Sequence, residues 1–211
     1  AFVERLAEKV EVLARAFHPR PVTYRSMDFR TNEFRGLEGG DRFEPEEANP
    51  MIGYRGCYRY VKEPDLFRLE LQMLRAVRSR FSNVQLMIPF VRTRSEFSAC
   101  KRLIDESGLS AERGFRLWVM AEVPSVVHWI PAYAAAGAQG VSIGSNDLTQ
   151  LVLGVDRDSE VLAPLYDERD EAVLAAIEQI IERAHAHGML ASICGQAPSV
   201  HPEYAELLVR A

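Results

Sequence analysis

The segment Gly140-Val-Ser-Ile-Gly-Ser-Asn-Asp-Leu-Thr-Gln150 sets an amide and a carboxylate side by side, Asn146 and Asp147, directly after a short apolar run. Upstream, Arg116-Leu-Trp-Val-Met-Ala-Glu122 ends a similar run in a second carboxylate, with Pro124 close behind. Carboxylates delivered from neighbouring strand ends can share a hard cation such as Mg2+, which takes oxygen ligands and keeps positions for substrate oxygens. Guanidiniums hold comparable places. Arg25 lies at the exit of Val22-Thr-Tyr-Arg-Ser26, Arg55 in Asn49-Pro-Met-Ile-Gly-Tyr-Arg-Gly56, and Arg157 in Gly154-Val-Asp-Arg-Asp158. Planar, bidentate guanidinium groups suit phosphate and carboxylate alike. A last apolar run closes on a thiol in Cys194-Gly195-Gln196. Taken singly, each has a plainer reading: a surface ion pair for an arginine, a helix cap for Glu122, a turn for Asn-Asp, a small buried hydrophobe for Cys194. Their recurrence at the same end of successive runs favours metal-assisted chemistry on an anion.

The elements that would position these groups follow from hydrophobic period. Phe2, Leu6, Val10, Leu13 and Phe17 predict a helix over 2–17, stopped by Pro19 and Pro21. Strands are expected at 22–26, 83–91, 116–122, 140–144 and 189–194. Helices are expected at 66–80, 95–106, 125–136 (interrupted or kinked at Pro131), 167–187 and 202–210. Residues 28–63 read as a long connection, and one of that length inside a compact fold is usually functional. Asn146 and Asp147 are expected on a loop after their strand. Strictly alternating β and α segments imply parallel strands with right-handed crossovers, and runs apolar throughout imply a sheet covered on both faces. The fold class is therefore α/β, of (β/α)8 TIM-barrel type. Five of the eight strands are recognisable, so the barrel is truncated. In such folds chemistry sits at the C-terminal strand ends, where all the residues above fall.

The 211 residues suffice for one sizeable core. A net charge of −5 argues against a general nucleic-acid surface, and no apolar run approaches the roughly 20 residues a membrane helix needs. Cys57, Cys100 and Cys194 are scattered and odd in number, which points to free thiols in a reducing cytoplasm. His185 and His187, two apart near a helix end, read as solvated residues rather than ligands. The opening in mid-pattern suggests a fragment, and an incomplete barrel with unpaired strand edges would favour self-association into a homo-oligomer.

Several segments resemble the PEP-utilising enzymes. They are Tyr24-Arg-Ser-Met-Asp-Phe-Arg-Thr-Asn-Glu33, Asn49-Pro-Met-Ile-Gly-Tyr-Arg-Gly56, Met87-Ile-Pro-Phe-Val-Arg-Thr93, Glu122-Val-Pro-Ser125, Gly144-Ser-Asn-Asp-Leu-Thr-Gln150 and Cys194-Gly-Gln196. The Phe-Val-Arg-Thr and Cys-Gly-Gln wording is most similar to the phosphoenolpyruvate synthase branch. Pyruvate, phosphate dikinase and enzyme I of the sugar phosphotransferase system share the barrel. The resemblance implies a single PEP/pyruvate-binding barrel domain over 1–211. By the same resemblance, Arg25, Arg55 and Arg157 grip the phosphate and carboxylate of phosphoenolpyruvate, with Gly144, Ser145 and Asn146 beside them. Glu122 and Asp147 hold Mg2+ and face the substrate, and Cys194 exchanges a proton with C3 of the enolate. The reaction implied is ATP, pyruvate and water giving phosphoenolpyruvate, AMP and phosphate, a gluconeogenic step. The phosphoryl group would come from a phosphohistidine domain that this sequence lacks, as it lacks an ATP-binding domain and one further substrate arginine. The isolated chain is therefore expected to be inactive in the full reaction. Two other classes share the metal and arginine logic: a Mg2+-dependent barrel lyase on a pyruvate-like substrate, and a non-catalytic fragment with relic residues.

Overall fold

The computed structural model describes residues 2–210. Its contacts gather into two compact units, residues 1–90 with 95–117, and residues 91–94 with 118–211.

In the first unit, α1 (Phe2–Phe17) turns Ala7, Val10 and Ala14 inward against α4 (Pro64–Arg78). Strand β1 (Val22–Arg25) runs parallel to β2 (Val84–Ile88), in register from Val22 opposite Val84 to Arg25 opposite Met87. The Asn83 amide donates to the carbonyls of Ala14 (3.0 Å) and Arg20 (2.8 Å), so one buried side chain ties the end of α1 to the start of β1. Helix α5 (Arg94–Glu106) follows β2 and buries Phe97, Cys100 and Ile104.

Residues 28–63 are not the irregular connection expected from the sequence. They carry α2 (Thr31–Arg35), two 3-10 turns at Gly40–Arg42 and Pro50–Ile52, and α3 (Gly56–Lys62). Ion pairs and hydrogen bonds fix this stretch where an apolar stripe would otherwise do so. Arg59 makes a two-pronged, largely buried bond to Glu44 (2.7 and 2.9 Å). Glu47 accepts from Thr31 Oγ1 (2.8 Å) and from the Tyr54 amide (2.9 Å). Short polar-pinned turns leave no hydrophobic period to detect.

In the second unit, β3 (Leu117–Ala121), β4 (Gly140–Gly144) and β5 (Leu190–Cys194) are parallel and adjacent in that order. Ala121 lies opposite Ile143, and Gly144 opposite Cys194. Helices α6 (Val126–Ala135), α7 (Ser145–Leu153), α8 (Glu171–Ala186), α9 (Ala197–Val200) and α10 (Pro202–Arg210) complete it. Asp170 caps α8 by accepting from the Ala172 amide (2.9 Å). Helix α6 runs through Pro131 without ending there. A proline has no N–H to give the carbonyl four residues back, here Val127. The Arg183 guanidinium of α8 donates to that carbonyl instead, at 2.7 Å.

Five parallel strands, each pairing within its unit with its sequence neighbour, confirm the α/β fold of (β/α)8 type with five strands. One expectation needs correction. Only β2 and β4 are buried throughout, whereas β1 and β5 alternate between half-buried and exposed residues. Among the described residues no helix is long and apolar enough to cross a membrane.

Candidate functional site

The first unit brings Arg25 and Arg55 onto one carboxylate. The chain leaves β1 at Arg25 and turns, placing Asp28 where its side chain is 1% exposed. Arg55 bonds it in the two-pronged manner, Nε to Oδ1 at 3.0 Å and Nη2 to Oδ2 at 2.5 Å. Arg25 Nη1 lies 3.6 Å from the same Oδ2, and its side chain stays 47% exposed. Arg55 Nη1 also donates to the Met51 carbonyl at 3.1 Å. Two guanidiniums thus meet one buried carboxylate at this turn.

Glu70 of α4 stands behind this turn. It is fully buried, and its Oε1 accepts from Tyr24 Oη (2.6 Å) and from the Met27 amide (2.9 Å). Tyr60, stacked on Phe67 with ring centroids 4.4 Å apart, donates to the Met27 carbonyl. The segment between Arg25 and Asp28 is thus held by both sides of its backbone. Burial pushes the Glu70 carboxyl up to about 7, against the pull of its two donors.

The second unit gathers the remaining groups around the start of α7. Glu122 directly follows β3, and Gly144 ends the neighbouring β4. A Cβ on Gly144 would lie 2.9 Å from Glu122 Oε2, so the carboxylate occupies space that any side chain there would fill. Asn146 and Asp147 are not on a loop. They lie in the first turn of α7, which begins at Ser145 without an intervening residue. A helix N-terminus favours negative charge beside it. Glu122 is 3% and Asp147 8% exposed. Arg157 Nη1 lies 3.8 Å from Asp147 Oδ1, and the Arg157 amide donates to Gln150 Oε1 (3.2 Å). Tyr166 donates to the Asn146 carbonyl (3.3 Å). Burial and then Glu168 raise this phenol to about 12, so it stays protonated as a donor.

Cys194 ends β5 and is exposed, unlike Cys57 and Cys100. Its Sγ donates to the Ile143 carbonyl at 3.5 Å. Gly195 packs so closely on Ser145 Oγ that a methyl group there would collide with it. Ser145, Asn146 and Asp147 are thereby linked to the Cys194 turn through Gly195.

Two buried carboxylates fit Mg2+, which is commonly held by one or two carboxylates, with waters and substrate oxygens completing the shell. Among the described residues no group of three or more His, Cys, Asp or Glu side chains could cage an ion, so a closed structural zinc site is not the match. Sequence reasoning missed Asp28, Glu70 and Tyr166. Glu70 left a signal, since it sits on the apolar face of α4 between Phe67 and Leu74. A carboxylate in an apolar stripe is rarely left without a role.

The family described as PEP-utilising enzyme, PEP-binding domain, matches residues 1–211. The chain belongs to the PEP-utilising enzymes. It is 52% identical over 216 residues to a "Probable phosphoenolpyruvate synthase" of Staphylothermus marinus, covering 100% of this chain and 26% of that protein. The phosphoenolpyruvate synthase of Aeropyrum pernix is 52% identical over 217 residues (99% of this chain, 26% of the relative). That of Escherichia coli is 42% identical over 213 residues (99% and 27%). The chain thus spans about a quarter of the length of these curated relatives.

Proposed function

We propose that this chain is the phosphoenolpyruvate- and pyruvate-binding part of a phosphoenolpyruvate synthase, a phosphotransferase of the pyruvate, water dikinase type. In the whole enzyme ATP, pyruvate and water give AMP, phosphoenolpyruvate and phosphate, with a phosphohistidine domain of the same protein as donor. The relatives named above support the assignment. The observation that carries the site reading is the pair of buried carboxylates, Glu122 and Asp147, set just after the C-terminal ends of the neighbouring strands β3 and β4.

Glu122 and Asp147 would hold Mg2+. The ion supplies neutralising charge for the phosphoryl and enolate oxygens. Arg25, Arg55 and Arg157 take the phosphate and carboxylate of the substrate, the guanidinium plane matching two oxygens at once. Asn146, at the start of α7, offers an amide donor to the phosphate, and Gly144 and Ser145 form the backbone beside it. Cys194 Sγ, exposed at the end of β5, gives a proton to C3 of the enolate or takes one from the methyl group of pyruvate. The Ile143 carbonyl that accepts from Sγ orients the thiol. Glu70 and Tyr60 keep the Arg25–Asp28 turn in place through Met27.

The test is titration calorimetry of phosphoenolpyruvate into the chain, with and without Mg2+. Binding is expected to require Mg2+ and to be lost in Asp147→Ala. Equal affinity with and without the ion would overturn the metal assignment, and failure of the wild-type chain to bind at all would overturn the substrate assignment.

A further inference from the structure

Phe90 is the one non-glycine residue with positive φ, 48°, among the described residues. A bulky side chain in that region is an outlier, held there only where the surrounding structure over-determines it. Two residues beyond β2, Phe90 is 1% exposed, so burial holds it there. Its ring lies under the Arg55 guanidinium, with Cζ 3.9 Å from the ring centroid.

The backbone on the other side of this contact is shaped to match. Gly56, the residue after Arg55, also has positive φ, 57°. A Cβ on it would sit 2.6 Å from Phe90 Cβ and 2.9 Å from the Pro89 carbonyl oxygen. The Cys57 amide donates to that same carbonyl at 3.1 Å. Two left-handed residues, Phe90 and Gly56, therefore press the start of α3 against the exit of β2. The close approach lays the guanidinium flat on the ring.

A guanidinium binds two oxygens at once only in its own plane, so fixing the plane fixes which oxygens it can reach. Asp28 holds one edge of Arg55, and Nη1 donates to the Met51 carbonyl at 3.1 Å and to Met51 Sδ at 3.0 Å. The aromatic ring covers a face of the group, and it adds the attraction of a cation to a π-system.

We propose that Phe90 is a positioning residue for phosphoenolpyruvate binding, its left-handed backbone setting the ring as the platform that orients the Arg55 guanidinium toward the substrate anion. The proposal rests on the assignment of Arg55 to the substrate and deepens it. A residue serving only the core could fill the same volume from relaxed backbone. The strain is accounted for by the ring's placement under the cation.

The test combines affinity with a direct readout of the stack. Phosphoenolpyruvate with Mg2+ is titrated into the wild-type chain and into Phe90→Leu, Phe90→Tyr, Arg55→Lys and the Phe90→Leu/Arg55→Lys double variant. Phe90→Leu is expected to raise Kd about tenfold, from a buried cation–π contact of roughly 1–2 kcal/mol. Phe90→Tyr, which keeps the ring, stays within about twofold of wild type on the same argument. In the Arg55→Lys background the added cost of Phe90→Leu shrinks, because an ammonium has no plane to orient. The Arg55 Nε–H resonance should be ring-current shifted in wild type and Phe90→Tyr, and unshifted in Phe90→Leu; Phe90→Met replaces it if that chain does not fold.

A folded Phe90→Leu or Phe90→Met chain with wild-type affinity would overturn the proposal. So would an equal loss with Arg and with Lys at position 55, which would mark the residue as packing alone. Absence of binding by the wild-type chain would instead refute the substrate assignment, and this inference with it. An unshifted Arg55 resonance in wild type would refute the stacking by itself.

Discussion

Replacing Glu70 by Gln should remove a pH-dependent loss of stability. Glu70 is fully buried, with Oε1 accepting from Tyr24 and Met27 while Oε2 has no hydrogen-bond partner. Such a group is cheaper to keep neutral than ionised, and its carboxyl is raised from 4.5 to about 7. A carboxyl raised on folding holds its proton in the native state at pH values where the unfolded chain has released it. Stability from this group is therefore largest below pH 4.5, falls as pH rises, and levels off above about pH 7. At 1.36 kcal/mol per unit, the loss across that window is at most about 3 kcal/mol. Gln has the same shape, accepts the same two hydrogen bonds and does not ionise. The variant should therefore match wild type near pH 4.5, exceed it increasingly up to about pH 7, and hold that advantage at pH 8. For a chain of this size that is a gain of roughly 6–12 °C in Tm. Paired thermal melts from pH 5 to 8 measure it, because other carboxylates cancel in the difference. A flat difference would show that Glu70 does not titrate in the window. A difference favouring wild type at high pH would show that Tyr24 and Met27 keep it ionised, and the argument from burial would fail.

Three other outcomes are expected. Arg183→Met should cost about 1–3 kcal/mol in urea unfolding, since it strips the donor from the Val127 carbonyl that Pro131 cannot serve. Pro131→Ala in that background should recover part of the loss by restoring an N–H. Gly195→Ala should weaken phosphoenolpyruvate binding about tenfold or more by pushing Ser145 from its place, with Ser145→Ala relieving part of the clash, both read by calorimetry. Finally, the exposure of Leu190 and alternate residues of β5 should promote self-association, seen by sedimentation velocity as a mass that grows with concentration. A single monomeric species at all concentrations would count against it.

The strands and long helices were legible because burial wrote a period into them. Val84–Ile88 and Gly140–Gly144 are runs of strand length with a single polar residue each, Gln85 and Ser142, and Glu171–Ala186 carries Val173, Ile177, Ile180, Ile181 and Ala184 on one face. The side chains at strand exits were legible for a related reason: polar residues that end an apolar run stand out against it. The stretch from Asp28 to Lys62 was not, because Glu44–Arg59 and Glu47–Thr31 are pairs set by three-dimensional proximity and leave no repeat. Asn146 and Asp147 were expected on a loop because Asn-Asp is ordinary turn chemistry. Asp147 instead lies in the first turn of α7, where a carboxylate is equally at home. That difference matters for mechanism. On a loop the carboxylate would pay conformational entropy to meet a cation, whereas the helix start holds it in advance. The same logic runs through Arg55, fixed by Asp28 and Phe90, and through the Arg25 turn, fixed by Glu70 and Tyr60. The groups proposed to touch substrate were readable from residue type. The groups that hold them were readable, if at all, only as anomalies: a carboxylate in an apolar stripe, and a phenylalanine beside a glycine far away in sequence. Positioning residues answer to local geometry rather than to periodicity, so a search for them should begin with buried charge and unusual backbone rather than with motifs.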